Sequence, residues 1–128
     1  LADYFGDLSA MDIVLDTWPY SGGTTTCDAL WMGVPVVTLA GERPYSRTSA
    51  SVLTAAGAPD WIAHDPADYL RIATGLASDV PALCEWRDRL RERGAVSRLC
   101  DARRFASQWA DALEAMRSDV PVATGAGR

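Results

Sequence analysis

Hydrophobic positions along this chain follow two rhythms. Apolar runs at 13–15, 34–39 and 61–63 predict short strands, the first spanning 12–16 and the second buried on both faces of a parallel sheet. Between and after them, apolar residues recur at three- and four-residue spacing, the signature of amphipathic helices. Leu1, Tyr4, Phe5 and Leu8 predict a short helix before the first strand. Leu30 and Trp31 face inward on a helix over about 25–32 that stops at Gly33, with Pro35 just beyond. Ser46 is placed to cap a helix carrying Arg47, Ala50, Val52, Leu53 and Ala56 and ending at Gly57. Asp65-Pro66 pairs an N-cap with an N1 proline ahead of Tyr69, Ile72, Ala73 and Leu76. Leu83, Trp86 and Leu90 form the stripe of a helix over 81–93, where Glu85 and Arg89 can pair and the arginine run reads as a solvated face. Asp101 caps a last helix whose Phe105, Trp109, Leu113 and Met116 are expected to make a buried seam. From 118 onward periodicity stops and Pro, Gly and Ala dominate, so 1–117 reads as one domain and 118–128 as a disordered tail.

Strand, helix, strand over 12–39 is a βαβ unit. Open doubly wound sheets have about five or six strands, more than the short runs found here. The expected class is therefore α/β: a partial Rossmann-like unit with a short parallel sheet, flanking helices and a helical C-terminal end.

The chemistry concentrates where the first strand gives way to the first crossover helix, in Asp16-Thr-Trp-Pro-Tyr-Ser-Gly-Gly-Thr-Thr-Thr-Cys-Asp28. A helix N-terminus leaves backbone N–H groups without intrahelical partners and carries the positive end of the macrodipole. Gly22 and Gly23 let a ligand approach the backbone, and Thr24, Thr25 and Thr26 add hydroxyl donors, so the stretch can seat an anion such as phosphate. Asp28 either closes a capping box with Thr24 or Thr25 or accepts sugar hydroxyls from a ligand. Asp16, at the carboxyl end of the strand, either binds loop amides or touches ligand. The loop after the second strand brings Arg43 to the same sheet edge, and Arg47 sits where a helix start disfavours a cation unless a ligand or carboxylate compensates. His64 reads as a polar turn residue rather than a base.

Composition narrows the partners. The 128 residues carry a net charge of −5, which argues against nucleic acid as a partner. Every basic residue is arginine; lysine is absent. Cys27, Cys84 and Cys100 lack paired metal-ligand spacing, and with the lone His64 they do not make a zinc site. They read as reduced, mostly buried thiols of a cytoplasmic protein. No apolar run approaches the length of a membrane span, so no membrane partner is expected.

Read whole, 16–41, together with Ser46-Arg-Thr-Ser-Ala-Ser-Val-Leu53 and Leu99-Cys-Asp-Ala-Arg-Arg-Phe105, resembles the C-terminal catalytic region of O-GlcNAc transferases and SPINDLY-type relatives, glycosyltransferase family 41. The resemblance implies a GT-B arrangement of two facing Rossmann-like domains, with the donor held mainly by the C-terminal one. It implies inverting, metal-free transfer of N-acetylglucosamine from UDP-GlcNAc to protein Ser or Thr, with the UDP-sugar as substrate and no cofactor. Carried over, Gly23, Thr24 and Thr25 match the pyrophosphate-binding segment and Asp28 the carboxylate that grips the ribose. Gly23 stands where animal enzymes have a histidine, and the family's leaving-group lysine would lie upstream, as would an N-terminal catalytic half and TPR repeats. Two other readings remain: a degenerate transferase-like binding or scaffold module, and a GT-B enzyme using a different nucleotide sugar.

Overall fold

A computed structural model describes residues 2–119. Three strands form one parallel sheet in the order β1 (Val14–Leu15), β2 (Val36–Leu39), β3 (Ile62–Ala63). Val14 pairs with Val36 and Leu15 with Val37 across β1 and β2, while Thr38 pairs with Ile62 and Leu39 with Ala63 across β2 and β3. Parallel neighbours need crossovers. Helix α2 (Thr24–Trp31) supplies the first, and α3 (Thr48–Ala56) the second, after a 3₁₀ turn at Pro44–Ser46. Helix α1 (Ala2–Ser9) precedes the sheet; α4 (Pro66–Ser78), α5 (Val80–Ala95) and α6 (Ala102–Asp119) follow it.

The middle strand is the centre of the core. Val34, Val36, Val37, Thr38, Leu53 and Ala63 are wholly buried, with Leu30, Trp61, Ile72 and Leu90 nearly so. Such a strand reads as a continuous apolar run because helices cover both of its faces. Trp61 meets Trp86 of α5 edge-on at 5.0 Å, one of the few aromatic contacts inside the core. Two glycines end helices for a stereochemical reason. Gly33 and Gly57 both have φ of 78°, and a Cβ on Gly33 would lie 2.7 Å from the Arg87 carbonyl oxygen.

Several expectations need revision. The regular strands are shorter than their apolar runs, because Val34 and Pro35 belong to the buried turn that leads into β2: the Val34 amide donates to the Ala29 carbonyl at 2.8 Å, while the Pro35 carbonyl accepts from Val14 at 2.8 Å. Asp65, as expected, caps α4, and Asp101 accepts from the Arg104 amide at 2.9 Å. Ser46 does not cap α3; it is buried within the preceding turn and bonds Arg43 main-chain atoms. The arginines of α5 are not simply a solvated face. Arg89 pairs with Glu85 at 2.5 Å as expected, but Arg87 donates to main-chain carbonyls of Ser9, Met11 and Asp12, tying α5 to the α1–β1 turn. Arg91 and Arg93 lie over the rings of Trp31 and Trp86 at 4.8 and 4.5 Å.

The expected buried seam on α6 is also overturned. Phe105, Trp109, Leu113 and Met116 are all at least half exposed, the first two stacked on each other at 6.2 Å. Cys84 and Cys100 are exposed and Cys27 half-buried, so the thiols are less buried than composition suggests. Helix α6 runs to Asp119, past the expected boundary at 118, and the rest of the expected tail lies outside the described residues, as does Leu1. No described helix is long and apolar enough to cross a membrane.

Candidate functional site at the carboxyl edge of the sheet

Two loops leave the carboxyl ends of β1 and β2, and a web of hydrogen bonds joins them. Asp16 anchors the first. Its carboxylate accepts from the Gly22 amide at 2.9 Å and from the Thr38 hydroxyl at 2.6 Å, so both oxygens are committed to holding the glycine loop against β2. The structure thus favours the loop-binding reading of Asp16 over direct ligand contact. Tyr69 of α4 adds a third tie, donating its hydroxyl to the Asp16 carbonyl at 3.0 Å. Partial burial, then the Asp16 charge, raises the Tyr69 pKa above its ordinary 10.0.

Ser21 joins the loops and escaped the sequence reading. Its amide and hydroxyl both donate to the Tyr45 carbonyl, at 3.0 and 3.1 Å. The same buried hydroxyl accepts from the amides of Thr48 and Ser49, which open α3, at 3.1 and 3.4 Å. A serine from the first loop therefore does the capping expected of Ser46. The signal was not local, because the capped helix begins 27 residues downstream of its cap.

Gly22 is required by space. A Cβ there would lie 2.6 Å from the Thr26 hydroxyl oxygen, 2.8 Å from that of Thr25 and 3.2 Å from an Asp16 oxygen. Gly23 is the N-cap of α2 (φ −142°, ψ −85°) and no side chain caps the helix. The first-turn amides, which lack partners within any helix, are thus left for another acceptor. Thr24 and Thr25 are exposed beside them. Thr26 departs from the expected set: it is buried, and its hydroxyl lies 2.8 Å from that of Ser49, which donates to the Gly22 carbonyl at 2.9 Å. It fastens α2 to α3 rather than facing the opening.

Asp28 makes no capping box. Half-buried one turn into α2, it accepts from the Tyr4 hydroxyl of α1 at 3.2 Å. Tyr4 loses some hydration there and faces the carboxylate, and both effects raise its pKa. Neighbouring Cys27 is likewise raised, by partial burial first and the Asp28 charge second.

On the loop that follows β2, Arg43 and Arg47 are exposed. Arg47 is the N-cap residue of α3 and donates to the Gly41 carbonyl at 2.8 Å, which answers in part why a cation sits at a helix start. It lines a cavity of about 890 Å³ with His64, Arg98 and the outer face of α3. Arg43 lines a separate cavity of about 420 Å³ with Trp18, Glu42, Tyr45 and His64. Gly22, Gly23, Thr24, Thr25 and Asp28 thus lie together on one loop-helix unit, Asp16 and Thr26 bond it to neighbouring elements, and the two arginines line cavities that those five residues do not. Among the described residues no group of His, Cys, Asp and Glu could hold a metal ion.

A parallel sheet with helical crossovers and loops gathered at its carboxyl edge is the Rossmann-like class, in which ligands lie across the strand ends. Comparison with known proteins makes the assignment specific. A family model described as Glycosyl transferase family 41 matches residues 6–109, and the chain belongs to that family. It is 45% identical over 103 residues to a probable UDP-N-acetylglucosamine-peptide N-acetylglucosaminyltransferase SPINDLY of Eustoma exaltatum subsp. russellianum, covering 80% of this chain and 11% of that protein. A UDP-N-acetylglucosamine-peptide N-acetylglucosaminyltransferase of Caenorhabditis elegans is 34% identical over 105 residues, 82% of this chain and 9% of the relative. Among solved structures, a mutant of the Thermobaculum terrenum O-GlcNAc transferase superposes with a TM-score of 0.81 at 37% identity, covering 91% of this chain and 22% of that one. The fold is thus that of part of the GT-B catalytic region of O-GlcNAc transferases, and the chain spans about a tenth of the length of the curated relatives it matches.

Proposed function

We propose that this chain is the donor-binding portion of an inverting, metal-independent glycosyltransferase that moves N-acetylglucosamine from UDP-GlcNAc to a protein Ser or Thr. The observation that carries the reading is the uncapped start of α2 at the sheet's carboxyl edge, with exposed Thr24 and Thr25 beside it and Asp28 one turn further on. A helix start of this kind suits a diphosphate, and a carboxylate one turn away suits the hydroxyls of a ribose. The relatives' names supply the sugar, the uridine nucleotide and the protein acceptor; inversion and independence of metal rest on the family resemblance. In this reading the UDP-sugar is a substrate, no cofactor takes part, and the protein works in the cytoplasm together with an N-terminal catalytic half and TPR repeats.

The diphosphate that leaves during transfer needs preorganised positive charge or donors, each worth about 10²- to 10³-fold in rate. The α2 amides and the threonine hydroxyls are such donors, and Arg43 and Arg47, exposed on the loop after β2, are the candidate cations. Titration with UDP tests the assignment. Saturation at about a hundredfold over Kd should add roughly 2.7 kcal/mol to stability, with amide shifts centred on Gly23, Thr24 and Thr25. Shifts elsewhere that spare those three residues would sink it, and a preference for GDP or ADP over UDP would point to a different donor.

A further inference from the structure

The outer face of α3 carries a groove that none of the residues from Gly22 to Asp28 lines. Its first stretch is the cavity of about 890 Å³, and a second of about 520 Å³ continues it towards α6, with Ser51, Ala55 and Arg98 on the walls of both. The floor is low because one stripe of α3 is small. Thr48, Ser51 and Ala55 follow one another at three- and four-residue spacing, which puts them on a single helix face.

The walls of the first cavity run against the charge of the chain. In a sequence of net charge −5 they carry Arg47, Arg98 and His64, and none of the described residues lining them is acidic. The described ion pairs use Arg71, Arg89 and Arg117, so neither Arg47 nor Arg98 has a carboxylate partner there. A concave wall of one sign concentrates its field on a ligand of the other. The second cavity is apolar by contrast. Val52, Leu99 and Phe105 line it, Phe105 being 65% exposed, and its Asp101 carboxylate already accepts from the Arg104 amide.

We propose that this groove docks an extended acidic segment of the protein acceptor, with its carboxylates on the basic walls of the first cavity and an apolar side chain beside Phe105. That the docked protein is an acceptor rests on the donor-site reading above. The lengths agree. Helix α3 has nine residues, so the floor is about 13 Å long at about 1.5 Å per residue, the span of about four extended residues at roughly 3.3 Å each. Either cavity alone has the volume of a small-molecule cleft, roughly 300–1,000 Å³, but only an extended chain reaches from the arginines to Phe105. Guanidinium groups take carboxylates through paired hydrogen bonds, and the exposed Ser51 hydroxyl adds a donor on the floor. The basic end lies at Ala40 and His64, which directly follow β2 and β3. A docked segment therefore leaves the groove at the same sheet edge from which the loop to α2 departs.

The test is an anisotropy titration of the complete gene product with two fluorescent peptides, Glu-Glu-Ala-Ala-Leu and its reverse, each flanked by Gly and Ser, beside controls with Gln in place of Glu. At least one acidic peptide should bind, and its Gln form about tenfold more weakly. Arg98→Gln should weaken the acidic peptide about tenfold and Phe105→Ser about fivefold, while UDP affinity, measured on the same preparations, changes less than about twofold. Bound peptide should also slow alkylation of Cys100, an exposed thiol on the wall of the second cavity, and leave the exposed Cys84 unaffected. No binding of either peptide, equal binding of the Gln forms, displacement by excess UDP or unchanged alkylation of Cys100 overturns the groove and leaves the donor site standing. The full peptide pattern in a protein that binds no UDP supports the groove and overturns the donor-site reading alone.

Discussion

Asp28 and Asp16 show how two carboxylates on one loop-helix unit come to do different work. Asp16 spends both oxygens on the Gly22 amide and the Thr38 hydroxyl, whereas Asp28 receives one bond, from Tyr4, at the edge of the opening. A capping aspartate would cost about 1 kcal/mol when replaced by alanine. Because Gly23 takes the cap position and no side chain caps α2, Asp28→Ala is expected to leave the melting curve nearly unmoved while weakening UDP more than inorganic pyrophosphate. A stability loss with equal effects on both ligands would return Asp28 to a structural role. Tyr69 contributes one component of the pH dependence. Its pKa is raised in the fold, so its hydroxyl contributes stability fully below the ordinary value of 10.0, and that contribution is lost as pH rises through the higher folded value. Denaturant melts between neutral pH and the alkaline range should show this loss, and Tyr69→Phe should abolish that component while removing the bond to the Asp16 carbonyl.

At the scale of elements, α2 and α3 start side by side because Ser21, Thr26 and Ser49 stitch them together with buried hydroxyls. Leaving buried partners unsatisfied costs about 1–3 kcal/mol, so Ser21→Ala should destabilise by that much in urea titration and weaken nucleotide binding through loss of loop registry. Helix α6 should behave oppositely. Trp109→Ser removes a large apolar group, yet the residue is 59% exposed, so the expected change in this chain's stability stays within about 0.5 kcal/mol. Leu53→Ala, at a fully buried position of α3, should cost roughly 2–5 kcal/mol in the same experiment. The contrast explains why the α6 stripe misled. Helical periodicity identifies an apolar face, but whether anything covers it depends on the placement of other elements.

For the whole molecule, sheet size and chain coverage agree. Three strands lie in the sheet and β1 stands at one edge with Leu15 58% exposed, while the chain matches 22% of the solved transferase it resembles. The start of α2 offers helix amides and hydroxyls, and among the described residues none is placed beside it as a base for an acceptor hydroxyl. The 128 residues alone are therefore expected to bind nucleotide and transfer no sugar. Incubation with labelled UDP-GlcNAc and acceptor protein checks this, and protein-dependent label incorporation by this chain alone would refute it.

By itself the sequence determined what is local. The order of strand, helix and strand, the glycine stops at Gly33 and Gly57 and the Asp65 and Asp101 caps each rest on residues within a few turns of one another, and each was legible. Only the tertiary structure decided which hydroxyl is exposed and which is buried against protein. Thr24, Thr25 and Thr26 are identical in type and consecutive, yet helix geometry turns the third into the seam with α3, where Ser49 is waiting. Nor could local pattern have found Ser21 as the cap of α3, Tyr4 as the partner of Asp28 or Arg87 as the tie to the α1–β1 turn. Those bonds span 27, 24 and 78 residues, and a hydrogen bond across that distance exists only once the sheet has brought its two ends together.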